Sequence, residues 1–146
     1  MQSLLRISEA ASLGLHAMVV LASDEEHHHT VKEISDLICV SQAHMAKVLQ
    51  TLTRAGLLES VRGPRGGFRL ARAKDGITLL DVLEAIDGKF EPPDCLMTRS
   101  VCGQMGCMFD DLLHRVNGEV REYMESRNLD DVKWVFETMA DRKKRE

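Results

Sequence analysis

The chain has no apolar run long enough to cross a bilayer. Its start, MQSLLRISEAASLGLHAM, carries an acid and a histidine within the apolar stretch, so it reads as an amphipathic helix and not as a secretory signal. A cytoplasmic protein with no membrane partner is expected. The usual catalytic arrangements are also missing: no defensible Ser-His-Asp set, no phosphate-cradling glycine loop opening a helix, and no HExxH. No enzyme is expected. There is no CxxC pair, which excludes the knuckles of a zinc ribbon. Internal repeats and low-complexity segments are absent, which excludes solenoids.

What remains is an ordinary globular composition. A chain of 146 residues, 44% hydrophobic and 29% charged, suits one domain plus an appendage and needs no disulfide staple. Four cysteines in a cytoplasmic chain therefore point to metal binding, redox chemistry or core packing. Three of them, Cys95, Cys102 and Cys107, fall within thirteen residues.

Net charge is −4, yet it is unevenly spread. Residues 30–72 hold seven Lys and Arg against three Asp and Glu, a net of +4, which leaves −8 for the rest. A basic module on an acidic body can focus a duplex onto one face.

Periodicity supplies the elements. Leu13, Ala17, Val20 and Leu21 mark one face of a helix over about residues 8–22. Thr30 followed by Glu33 has capping-box spacing and starts a second helix, with Val31, Ile34, Leu37 and Ile38 inward. Ser41 suits the N-cap of a third helix that buries Met45, Val48, Leu49 and Leu52. Its outward face, Ala43, Ala46, Lys47, Gln50 and Arg54, is small and polar, as a helix entering a major groove requires. Leu57 to Arg62 and Phe68 to Leu70 read as strands around the turn Gly63-Pro64-Arg65-Gly66-Gly67. Arg62 and Arg65 beside that tip suit a narrow minor groove. The fold expected is mainly α with a small β-hairpin: a winged helix-turn-helix DNA-binding domain over residues 1–88.

Thr78 caps a further helix ending at Gly88. Residues 89–107 lack periodicity, contain Pro92-Pro93 and the three cysteines, and form a loop long enough to suggest function. Phe109, Leu112, Leu113, Val116, Val120 and Tyr123 then follow a near-heptad stripe. This suggests a long dimerisation helix, within a 108–146 segment that ends in a short helix at about 130–140 and a solvated tail, Asp141 to Glu146.

The spacing Cys95-x6-Cys102-x4-Cys107 on an irregular loop suits an iron–sulfur cluster, which the loop can wrap. Three small side chains in a satellite core are the alternative, but the surrounding Gly, Thr, Arg, Ser and Gln make a poor core. The remaining coordination position has Asp110 as its nearest carboxylate. Asp110 reads equally as an acid favoured by a helix N-terminus. Glu9, Ser12 or His16 from a second subunit's first helix could also supply it. Cys39, at the turn between the second and third helices, is expected to be a buried small side chain. His27-His28-His29 reads as a solvated loop with nothing nearby to complete a metal site.

The stretch LTRAGLLESVRGPRGGFRLAR, then DGITLLDVLEAIDG, then the three cysteines resemble the Rrf2 family of bacterial regulators, and the likeness covers nearly the whole chain. The resemblance implies a homodimer on a pseudo-palindromic double-stranded operator, acting as a repressor whose DNA affinity is set by a [2Fe-2S] or [4Fe-4S] cluster sensing nitric oxide, oxygen or iron. By position, Ser41, Gln42, Ala43, Ala46, Lys47 and Gln50 fall on the groove-reading helix, Arg62 on the wing arginine, and Arg65 where relatives often carry glycine. Cys95, Cys102 and Cys107 fall on the cluster cysteines, although the family's common spacing is five and five. Asp110 stands where some relatives have a histidine ligand, and Ser12 where others have an aspartate. Two rivals stay open: a cluster-free thiol-switch regulator, and an iron–sulfur assembly or carrier protein.

Overall fold

The computed structural model describes residues 7–91, 95–97, 101–102 and 106–136. Pro92-Pro93, the tail Asp141 to Glu146 and the far end of the expected last helix lie outside them.

The first helix, α1 (Glu9–Ser23), starts where the Ser8 hydroxyl accepts from the Ala11 amide at 2.9 Å and donates to Asp87 Oδ1 at 2.6 Å. One side chain thus caps α1 and ties it to the end of α4 (Leu79–Asp87). A Cβ at Gly14 would run into the Ile86 side chain, so glycine lets the two helices approach closely. The second helix, α2 (Val31–Ile38), has the expected capping box. It ends at Cys39, which sits in the left-handed region at φ 61 and ψ 47. Cys39 is exposed, contrary to the buried position expected for it. The residue that turns the chain out of a helix leaves its side chain at the rim, and here the thiol lies 3.7 Å from the Asp36 carbonyl.

The third helix, α3 (Gln42–Arg54), is capped by Ser41 and buries Met45, Val48, Leu49 and Leu52, the expected stripe. It passes through Gly56 into the antiparallel hairpin β1 (Leu58–Val61) and β2 (Gly67–Leu70), paired Leu58 to Leu70 through Val61 to Gly67. Met18, Leu21, Ile34, Met45, Leu49, Leu52, Leu58 and Ile77 are fully or almost fully buried and join α1, α2, α3 and the hairpin in one core. Burial of each such leucine or isoleucine contributes about 1.5–3 kcal/mol.

The long helix begins later than its stripe suggested. It is α5 (Leu112–Ser126), and Phe109 precedes it in a turn closed by the Asp110 amide donating to the Cys107 carbonyl at 2.9 Å. Val120 and Met124 pack beside Leu80, Leu83 and Phe90, and Arg121 donates to the Phe90 carbonyl at 3.0 Å. Leu112, Val116 and Tyr123 are exposed. The chain then returns to the head. The Leu79 amide donates to Arg127 and the Leu129 amide to Ile77. At α6 (Leu129–Val132), Leu129 is fully buried and Phe136 joins the main core.

Candidate nucleic-acid interface

One helix, α3, and the hairpin present the expected surface. Ser41, Gln42, Ala43, Lys47, Gln50 and Arg54 are exposed on α3, whereas Ala46 is half-buried. The Ser41 oxygen already accepts from the His44 amide at 3.2 Å, which leaves its hydroxyl proton free to donate. Lys47 and Arg54 have no acidic partner among the described residues.

The hairpin tip is exposed at Arg62, Gly63, Pro64 and Arg65. Gly66 closes the turn by donating to the Gly63 carbonyl at 2.9 Å, and a Cβ there would strike the Val61 carbonyl. Strand register separates the hairpin's cations into two kinds. Arg69 faces Glu59 across the ladder and grips its Oε2 with Nε at 2.9 Å and Nη2 at 2.7 Å. Arg62 and Arg65 lie beyond the ladder and make no ion pair among the described residues. Their charge stays available to an anionic ligand, whereas that of Arg69 is already answered.

The cysteines of the 89–107 segment are free thiols, each half-buried. Cys95 Sγ accepts from the Met97 amide and Cys107 Sγ from the Phe109 amide, both at 3.5 Å. Such N–H donors stabilise negative charge on sulfur, so they suit thiolate ligands of an iron–sulfur centre. The three sulfurs do not all lie within 4.8 Å of one another, so they are not gathered around one ion. A cluster spreads its ligands over several metal atoms and has no such requirement. Gly106 has φ 99 and Asp110 φ 49, so the chain turns sharply on both sides of Cys107. Asp110 is exposed in that turn and lies outside α5, so it is neither one helical turn past Cys107 nor an acid in the first turn of α5. On α1, Glu9 and His16 are exposed and Ser12 is half-buried.

One constellation escaped the sequence reading. His27, His29 and Glu33 bring one donor atom each to within 4.8 Å of one another, a proximity the sequence reading did not anticipate for the histidine run. Backbone pairing fixes this segment against the hairpin: the His29 amide donates to the Phe68 carbonyl at 3.1 Å and the Phe68 amide to the His29 carbonyl at 2.8 Å. Burial holds the His29 imidazole below its ordinary pKa, opposed in part by its hydrogen bond to the Asp24 carbonyl. The Thr30 backbone amide holds the Glu33 carboxyl low. The only local signal was the capping box, which fixes where Glu33 must stand.

A capped helix pair followed by a basic hairpin defines a winged helix-turn-helix protein. The family model described as Rrf2, iron-dependent transcriptional regulator, matches residues 7–133, and the chain belongs to that family. It is therefore a transcriptional regulator and not an enzyme. Among curated relatives, the HTH-type transcriptional regulator BadM of Rhodopseudomonas palustris is 40% identical over 79 residues, which span 54% of this chain and 51% of that protein. The chain thus matches about half of that relative's length. An HTH-type regulator of Aquifex aeolicus is 26% identical over 86% of this chain and 89% of its own. Among solved structures, CymR (YrzC), described as the global cysteine regulator of B. subtilis, superposes with a TM-score of 0.76 at 27% identity, covering 90% of this chain and 98% of that one. IscR of T. potens gives 0.67 at 26% identity, covering 88% and 85%. Among the described residues, no helix is long and apolar enough to cross a membrane.

Proposed function

We propose that the chain is a homodimeric repressor in which α3 enters the major groove and the hairpin tip the minor groove of a pseudo-palindromic operator. The observation that carries this reading is the pairing of an exposed polar α3 face with two tip arginines that have no acidic partner among the described residues. Ser41, Gln42, Ala43, Lys47 and Gln50 contact the duplex, Ala46 only at its edge, and Arg62 and Arg65 supply charge at the tip. The exposed Leu112, Val116 and Tyr123 of α5 meet the same face of a second copy.

Cys95, Cys102 and Cys107 hold a [2Fe-2S] or [4Fe-4S] cluster in this reading, with Asp110, or Glu9, Ser12 or His16 of the partner subunit, at the remaining position. When bound, the cluster supplies one-electron redox chemistry and reactivity toward nitric oxide and oxygen. The chain's own contribution is to offer the thiolates, to donate the Met97 and Phe109 amides to two of them, and to connect them directly to α4 and α5. DNA affinity follows the ligation state because that segment joins the head to the dimer helix.

Anaerobically purified, iron-replete protein should be brown and should shift a promoter fragment with an affinity that falls steeply with salt. Cys102→Ala should bleach it. A colourless preparation overturns the cluster, and indifference to all promoter fragments overturns the regulator reading. The thiol-switch alternative is favoured by the likeness to a cysteine regulator. Thiol titration with and without iron separates the two, because ligated sulfurs are protected.

A further inference from the structure

We propose that His27, His29 and Glu33 form a binding site for a divalent cation of the zinc class, and that the bound ion locks the base of the wing. The site stands independently of the DNA reading; only its consequence for operator affinity rests on it.

Two imidazoles and one carboxylate are the donor set that borderline divalent metals favour, and three protein ligands leave a position open to water or a carbonyl. The donors are already assembled. His27 Nε2 lies 3.2 Å from Glu33 Oε1, and the two imidazole rings meet edge to face at 4.7 Å between centroids. Glu33 divides its two oxygens. Oε2 accepts from the Thr30 amide at 2.7 Å and the Thr30 hydroxyl at 2.9 Å, while Oε1 points to the histidines. The capping box therefore acts as the outer shell that orients a ligand carboxylate. His29 Nε2 lies 3.2 Å from the Asp24 carbonyl, which fixes its ring in turn.

The link to the wing is short and made by hydrogen bonds. His29 exchanges both backbone hydrogen bonds with Phe68, and His28 Nδ1 lies 3.2 Å from the Arg65 carbonyl. A Cβ at Gly67 would meet the His29 carbonyl, so the glycine is what allows the histidine segment to lie against β2. An ion that joins His27 and His29 to the first turn of α2 would fix this segment, and with it the strand that leaves the arginine-bearing tip.

Cobalt(II) added to the full chain tests the site, since its spectrum separates nitrogen and oxygen ligation from the intense sulfur charge transfer of the cysteines. We expect an equivalent bound without the sulfur band. His27→Gln, His29→Gln and Glu33→Gln should each weaken it at least about tenfold, and Gln at position 33 keeps the capping box intact. His28→Gln should bind like the parent. With zinc(II), amide exchange at His29 and Phe68 should slow in the parent and in His28→Gln, but not in Glu33→Gln. Equal loss in His28→Gln would mean an adventitious histidine run, and normal binding by Glu33→Gln or a sulfur band alone would equally overturn the site. Zinc(II) should tighten operator binding of the parent and leave Glu33→Gln unchanged. If chelated and zinc-loaded parent both ignore promoter fragments, the DNA reading fails, while the cobalt and exchange results still judge the metal site.

Discussion

The winged head and the long helix carry apolar stripes of similar quality, but the head covers its own fully and the long helix only in part, with Val120 packed on α4. On α3, Met45, Leu49 and Leu52 are completely buried, whereas on α5 Leu112, Val116 and Tyr123 remain 43%, 39% and 55% exposed. Periodicity shows that a helix has an apolar face; it does not show whether the covering surface belongs to the same chain. The head closes on itself. The α5 face is left for something else, and a second copy is the occupant we propose.

Substitution in the two stripes gives the widest separation. Leu49→Ala should cost about 2–5 kcal/mol in urea unfolding, because it opens a cavity among residues that cannot collapse into it. Val116→Ala should change the stability of dilute protein by less than about 0.5 kcal/mol, yet weaken self-association measured by sedimentation. Equal costs would erase the distinction between the regions.

The hairpin repeats the contrast on a smaller scale. Arg62→Ala or Arg65→Ala should weaken operator binding roughly tenfold and lower the slope of log affinity against log salt by about one. Arg69→Ala should affect binding less, since Glu59 already holds that guanidinium, and should cost under about 1 kcal/mol of hairpin stability. A larger binding loss at Arg69 than at the tip would show that the free and the paired cations have been assigned the wrong way round.

The smallest effect lies at the turn between α2 and α3. Cys39→Gly should stabilise the head by about 1 kcal/mol, because glycine adopts the left-handed conformation without steric cost. Thermal unfolding should rise by a few degrees, about 2–4 °C on the scale of a chain this size. A fall would mean that the thiol makes a contact worth more than the strain.

Much of the head was legible because its determinants are local. Ser41, Thr30 and Thr78 cap the helices their spacing suggested, and the Gly/Pro tip turns where expected. The start of α5 was not legible: Phe109 continues the stripe, but Asp110 in the left-handed region breaks the helix ahead of Leu112. Cys39 was misjudged because cysteine's usual burial gives way, at a helix end, to the direction of the exit turn. The approach of His27 and His29 to Glu33 was not legible because Glu33 already had a complete explanation as a cap.

Caps, stripes, turn chemistry and the uneven charge are written in neighbouring residues, so the chain alone determined a winged head, a cysteine-bearing connection and an amphipathic helix after it. Tertiary structure alone decided which arginines keep their charge free, that the segment after α5 returns Leu129 and Phe136 to the head's core, and that two histidines meet a glutamate. The first depends on strand register and the second on contact between distant segments, while the third joins near neighbours in a loop that pairs with β2; register is set by the whole packed surface rather than by any run of the sequence.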